Sequence, residues 1–328
     1  MEIGSFIELQ LAKGKEYFKG DVDIARLNTG RAAIFHAFRI TNCKSIWIPF
    51  YQCDTVRNFL LKKKIAIKYY HIDEFFNPID IRQGKNEAVL LVNYFGIMSQ
   101  KRMRELASQY KNVIIDNSQA FFCKPIISCL NVYSCRKFIG VPDGAYVIGK
   151  NAHLYLDEYQ QGYSSDTSLF LLQRIEYGCE GKSYQSRLLN EHRIDDEDIL
   201  TMSKLTRTIL DGTDYDFIKK NRKNNFQIAS TLFKNINLFD PLKYHDKDTV
   251  PMVYPLIIED ENMVFKLQDA KHFQGRWWSY LLSEMPNNTF EYWISKFIIP
   301  ITIDQRYGEK ELKYINDVIR GEIDDKQL

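Results

Sequence analysis

Short apolar runs alternate with amphipathic helical stretches through the first half of this chain, and that alternation allows few folds. Ile46-Trp47-Ile48-Pro49 reads as a strand closed by proline, and Val56 to Lys64 as a helix. Ala66 to Tyr70 is a second strand. Ala88 to Val92 is a third, and its unbroken apolar run suits a strand covered on both faces. Gln100 to Tyr110 is helical, Val113 to Asp116 is a strand ending in an acid, and Ala145 to Ile148 is a strand after a Pro-Asp-Gly turn. Strands alternating with helices predict βαβ units and a mostly parallel sheet. Such sheets bind ligands at the carboxyl ends of their strands, which marks Asp116. The second half differs. Helical spacing dominates from about residue 195 to 235, around Leu205–Leu210 and Tyr215–Leu232, followed by a run from Val250 to Ile258 and a last helix over Glu309–Arg320. The pattern predicts an α/β chain with a large domain over 1–205 and a smaller C-terminal α/β domain over 206–328, with a boundary zone near 200–215.

Composition narrows the function classes. Of 328 residues, 45% are hydrophobic and 26% charged, ordinary usage for a chain that buries a sizeable core. The formal net charge of +2 gives no case for nucleic acid or an anionic membrane as the main partner. No apolar stretch approaches the ~20 residues that span a bilayer. The start, Met1-Glu2-Ile3-Gly4, lacks the basic then apolar pattern of a signal peptide, so a cytoplasmic address is expected. The six cysteines form no C-x-x-C pair and have no histidines at zinc-site spacing; they read as buried free thiols, and no metal is expected. A dinucleotide fingerprint, a Walker A loop and a G-x-S-x-G elbow are all missing from the sequence.

Four segments could carry chemistry: Asn28-Thr29-Gly30-Arg31-Ala32-Ala33, Pro49 to Cys53, Asp116-Asn117-Ser118-Gln119, and Ser134-Cys135-Arg136-Lys137 with Pro142-Asp143-Gly144 beyond. A lysine that forms an imine must be neutral part of the time, which an apolar setting favours. Lys137 follows the strand-like Asn131-Val132-Tyr133 and precedes Phe138-Ile139-Gly140-Val141. Taken alone it reads more simply as a surface lysine. Asp116 suits a carboxylate facing a protonated ring nitrogen, and equally a helix cap. Thr29-Gly30-Arg31 opens an apolar helix, where backbone N–H groups and the dipole favour an anion, or where threonine merely caps.

In order and spacing these segments resemble the DegT/DnrJ/StrS family of sugar aminotransferases, which depend on pyridoxal 5'-phosphate (PLP) and have the fold-type I architecture. The resemblance rests on Gly30-Arg31-Ala32-Ala33, Pro49 to Cys53, Asp116 to Gln119, and Ser134 to Lys137 with Asp143-Gly144. Asn93-Tyr94-Phe95-Gly96, Arg222 to Asn225, Ile299-Pro300 and Arg306-Tyr307-Gly308 are also similar. It implies that Lys137 forms the Schiff base with PLP and moves the proton, and that Asp116 pairs with the pyridine nitrogen. It further implies that Gln119 contacts the ring, that Ser134, Thr29, Gly30 and Arg31 hold the phosphate, and that Tyr51 or Cys53 lies over the ring. The chain departs from the family in having cysteine at 53 where many members carry an aromatic residue. It also has Pro142-Asp143-Gly144-Ala145 in place of Gly-Glu-Gly-Gly, and a short Ser-x-x-Lys spacing.

The resemblance implies a homodimer that moves an amino group from a donor such as glutamate to a carbonyl acceptor, such as a nucleotide-linked keto sugar. Relatives that dehydrate deoxysugars have histidine at the lysine position, so Lys137 argues for amino transfer. The rival is a PLP-fold protein with other chemistry, or one that binds a ligand without turnover. Outside the four segments, His36 reads as a core histidine. Arg276-Trp277-Trp278 reads as packing before anion binding, and Arg222 as a residue that could face a second subunit's cofactor.

Overall fold

The computed structural model describes residues 3–19 and 23–321. Chain order gives β1 (Ile24–Leu27), α1 (Gly30–Thr41), β2 (Ser45–Pro49), α2 (Asp54–Lys62), β3 (Ala66–Ile72), β4 (Pro78–Ile79), β5 (Glu87–Val92), α3 (Gln100–Ala107), β6 (Val113–Asp116), β7 (Leu130–Ser134) and β8 (Ala145–Ile148). The eight strands form one sheet in the order β1-β8-β7-β6-β5-β2-β3-β4. From β3 to β7 the neighbours are parallel, as the alternation predicts, so the strands end at one edge. The flanks reverse: β4 is antiparallel to β3, and β8 to both β7 and β1. Two reversals restore direction. Ala145 is the register partner of both Ser134 and Leu27, so the start of α1 arrives beside the end of β7.

β5 shows why its run is continuously apolar. Ala88 and Leu90 belong to the core under α1 and α2, with Ile34, Ala37, Ile46 and Ile48. Val89 and Leu91 belong to a second core on the opposite face. That second core continues through Phe95, Phe121 and Tyr133 to Tyr254, Leu256 and Ile315 in the C-terminal region.

After β8 come α4 (Leu169–Tyr177) and α5 (Gly181–Asp196), a helical hairpin that begins earlier than the helical region expected near 195. Then follow α6 (Lys204–Asp211), α7 (Tyr215–Phe233), β9 (Val253–Ile257), α8 (Met263–Asp269), α9 (Leu281–Glu284), α10 (Phe290–Phe297), β10 (Ile298–Thr302) and α11 (Glu309–Arg320). β9 and β10 pair antiparallel with Pro255 opposite Pro300. Proline has no N–H to donate, so this pair takes a position that makes no ladder hydrogen bond.

No helix among the described residues is long and apolar enough to cross a membrane. All six cysteines are free thiols, but only Cys129 and Cys135 are buried; the other four are half-buried, which corrects the expectation for the set. His36 is a core histidine: Nδ1 lies 3.0 Å from the Tyr159 hydroxyl and Nε2 lies 2.8 Å from Ala152 O.

Candidate active site

The turns after β2, β5, β6 and β7 meet at the carboxyl edge and lock together. The Tyr94 hydroxyl donates to Tyr51 O at 2.9 Å, and Phe95 N donates to Gln119 Oε1 at 2.6 Å. Gln52 Nε2 faces Asp116 Oδ2 at 3.4 Å. Gly96, at φ 69°, lets the β5 turn press against Gln119 O, where any side chain would collide.

Asp116 ends β6 and is 6% exposed. Its Oδ1 accepts from Ser118 N at 2.9 Å. Burial raises its pKa, against the lowering by Ser118, Gln52 and the positive charge of Lys137. A dry carboxylate whose hydrogen-bond donors are all neutral, the Ser118 amide and hydroxyl and the Gln52 amide, is suited to a cationic N–H brought by a ligand.

The α1 start forms a second feature. Thr29 caps the helix, its Oγ1 accepting from Ala32 N at 3.2 Å. The first amides, at Gly30 and Arg31, have no helical acceptor. A Cβ on Gly30 would stand 3.3 Å from Ser118 Oγ and 3.8 Å from Ser134 Cβ, so two serine side chains flank the helix start. An anion here would meet N–H groups, hydroxyls and the positive dipole end. Arg31 points elsewhere: Nη1 donates to Asp195 Oδ1 at 2.7 Å, and Nη2 to Ile194 O. Its guanidinium braces α5.

Lys137 closes a 3-10 turn, Cys135–Lys137, directly after β7. Its apolar neighbours Phe138, Ile139 and Val141 are buried, but Lys137 itself is exposed, because the turn sends the neighbours inward and leaves the lysine at the surface. Among the described residues it has no hydrogen bond or ion pair. Beside it Arg136 pairs with Glu191 of α5. The acid of the following turn is structural. Buried Asp143 accepts from Ser203 N at 3.0 Å and Ser203 Oγ at 2.8 Å, fastening the turn to the start of α6.

The structure therefore brings Thr29, Gly30, Asp116, Gln119, Ser134 and Lys137 to one edge. Tyr51 reaches the same edge but is wholly buried, its ring packed edge-on against Trp278 at 4.3 Å. Cys53 precedes α2, with Sγ 3.1 Å from Thr55 Oγ1. Gln52 and Ser118 sit in the quoted segments without having been singled out. A lone amide among Phe50, Tyr51 and Cys53, and a hydroxyl two residues past the acid, were the available signals. Two other arginines are committed within the chain, against the expectation for Arg222 and in line with it for Arg276. Arg222 is 2% exposed and bound within its own chain, donating to Met252 O at 2.8 Å, so it is not presented to a second subunit. Arg276 donates to Glu261 O while Trp277 stacks on Phe95 at 5.5 Å, as packing predicts.

No family model and no curated protein matches this chain. Solved structures do. The sugar aminotransferase CalS13 from Micromonospora echinospora aligns with a TM-score of 0.61 at 13% identity, over 91% of this chain and 87% of that one. A DegT DnrJ EryC1 StrS aminotransferase from Brucella abortus aligns at 0.59 and 13%, over 92% and 86%. The E. coli GDP-4-keto-6-deoxy-D-mannose-3-dehydratase, solved with bound hydrated PLP, aligns at 0.60 and 13%, over 90% and 88%. The chain has the fold of these proteins, the fold-type I architecture that the motifs led one to expect.

Proposed function

We propose that this chain is a PLP-dependent aminotransferase acting on a small carbonyl acceptor, with Lys137 as its catalytic amine. The observation that carries the reading is the joint placement of a buried acid, an anion cradle and a lysine on one sheet edge. Three features fit the cofactor. The cradle is kept open by Gly30, where a Cβ would meet Ser118. Asp116 is buried with no cationic hydrogen-bond partner among the described residues. Gln52 Oε1, beside it, is buried without a partner among the described residues.

Gly30, Ser118 and Ser134, with the Thr29-capped helix start, would hold the phosphate. Asp116 would keep a proton on the ring nitrogen, and Gln119 and Gln52 would line the ring's edge. When bound, the cofactor supplies an electron sink for the carbon that exchanges its amine. Lys137 would hold it through the amine, then accept and return a proton at the substrate carbon. Glutamate is the donor on this reading, and a nucleotide-linked keto sugar as acceptor is consistent with the sugar aminotransferases and the GDP-sugar dehydratase that share the fold. The address is cytoplasmic on this reading.

The test is direct. Purified protein with PLP should develop a visible band that borohydride fixes onto the peptide containing Lys137, and glutamate should bleach the band before reduction. A colourless protein, or label on another lysine, refutes the assignment. Gly30→Ala should keep the fold, since alanine suits a first helical turn. It should weaken PLP binding about tenfold, roughly 1.4 kcal/mol, in an absorbance titration.

A homodimer completes the proposal. Lys137 opens outward, and α4 beside it has no buried residue, with Leu169, Leu172 and Ile175 51%, 51% and 81% exposed. Leu171 of the same helix lies 3.8 Å from where a Gly140 side chain would begin, so the bare face adjoins the lysine turn. Light scattering should give twice the chain mass, and the double substitution Leu172→Asp with Ile175→Asp should halve it.

A further inference from the structure

The lysine turn is gripped from the far end of the chain. Gln305, just beyond β10, donates from Nε2 to the carbonyl of Phe138 at 2.9 Å. Its Oε1 accepts from Arg222 Nε at 3.2 Å. Both ends of the amide are used, which fixes its orientation. The Arg222 guanidinium also lies 4.4 Å over the Phe138 ring. Its Nη1 donates to Met252 O at 2.8 Å, and Met252 N donates to Phe95 O at 2.8 Å. One buried cation thus braces the turns after β5 and β7 together. Burial lowers its pKa to about 10, which still leaves it charged at neutral pH.

We propose that Gln305 is a positioning residue for Lys137, bridging the buried Arg222 guanidinium to the backbone carbonyl of Phe138 so that the amine-bearing turn keeps one direction. This rests on the functional reading above for the importance of Lys137. A long exposed side chain has many rotamers, and fixing the backbone beneath it narrows where the amine can stand. Displacement of a reacting group by about 1 Å can cost on the order of a hundredfold in rate. The bridge contributes no group to the reaction itself.

Gln305→Glu separates positioning from stability. The carboxylate keeps an acceptor for Arg222, now as an ion pair, but cannot donate to Phe138 O and faces it with like polarity. The variant should melt no lower than wild type. In cofactor-free protein, amide exchange across Cys135–Val141, read by mass spectrometry, should accelerate about tenfold, the effect of one lost hydrogen bond. The rate at which added PLP produces the visible band should fall roughly ten- to a hundredfold. Gln305→Ala should show the same two changes, with lower melting. Unchanged exchange in both variants overturns the bridge. Faster exchange with wild-type loading overturns its role in positioning. If wild-type protein forms no band at all, the functional reading fails, and the cofactor-free exchange comparison still decides whether Gln305 holds the turn.

Discussion

Lys137→Ala will give a folded, colourless protein that moves no amino group. The side chain is exposed and has no hydrogen bond or ion pair among the described residues, so its loss should change stability by less than about 0.5 kcal/mol. On the proposed function, its removal leaves no amine to hold the cofactor and no base at the substrate carbon. General acid–base help of this kind is worth roughly 10²–10⁴-fold, and loss of the covalent anchor adds to it, so turnover should fall by at least about 10⁴-fold. Single-turnover transamination and a melting curve on the same preparation check both halves. A variant that keeps turnover within tenfold of wild type would place the catalytic amine elsewhere.

Asp116→Asn should do two opposite things. In cofactor-free protein at neutral pH it should stabilise. Burial raises the pKa of this acid in the folded state above its ordinary 3.8, so folding prefers the protonated form. That preference contributes stability fully at pH below the ordinary value, and the contribution is lost as pH rises through the raised folded value. At neutral pH the wild type therefore carries a buried, ionised carboxylate at a cost. Asparagine removes the charge, keeps the acceptor for Ser118 N, and can donate to Gln52 Oε1, now unpartnered, if the glutamine amide turns over. A gain of about 1 kcal/mol is expected, roughly the worth of one satisfied buried hydrogen bond. The advantage over wild type should shrink as pH falls. With cofactor the sign reverses: no carboxylate opposes the ring nitrogen, and amino transfer should drop on the order of 10²–10³-fold. Calorimetry across pH, with and without PLP, reads the two effects separately. A destabilised apo variant would contradict the burial argument.

The centre of the sheet was legible because its strands report their environment locally. β6 ends at Asp116 as the Val113–Asp116 run predicts, and β5 is apolar throughout because both faces are covered. The flanks were harder. β1 contains Arg26, whose partner Glu16 lies on a preceding irregular segment, so a charged residue interrupts a four-residue strand. β10 carries a proline that is harmless only because its register with Pro255 puts it where no ladder hydrogen bond is made. The α4–α5 hairpin hid because α4 turns apolar residues outward, which blurs the one-faced pattern of a helix on a core. The same divide holds in the site. Asp116, Gly30, Ser134 and Lys137 each sit at the end of an element that the local sequence announces. Arg31 looked like a phosphate ligand because it follows Thr29 and Gly30 at a helix start; its commitment to Asp195 depends on a helix far along the chain. Lys137 stands exposed, and not in an apolar nook, because a single 3-10 turn separates its direction from that of Phe138.

The double reversal at the sheet's flank has a mechanical corollary. β1 is the hem of the sheet: β8 is its one strand neighbour, its other side is tacked to the segment around Thr201 by Met202 N to Arg26 O and Asn28 N to Leu200 O, both 3.0 Å, and it delivers the helix start on which a phosphate would rest. If the hem peels, the cradle leaves with it while the acid stays behind in the interior. A dianion seated between Gly30 and Ser134 would act as a stitch between the outermost strand and β7, two places inward. Occupancy of the site and integrity of that border then become one equilibrium, and any agent that competes for the phosphate also loosens the edge of the fold.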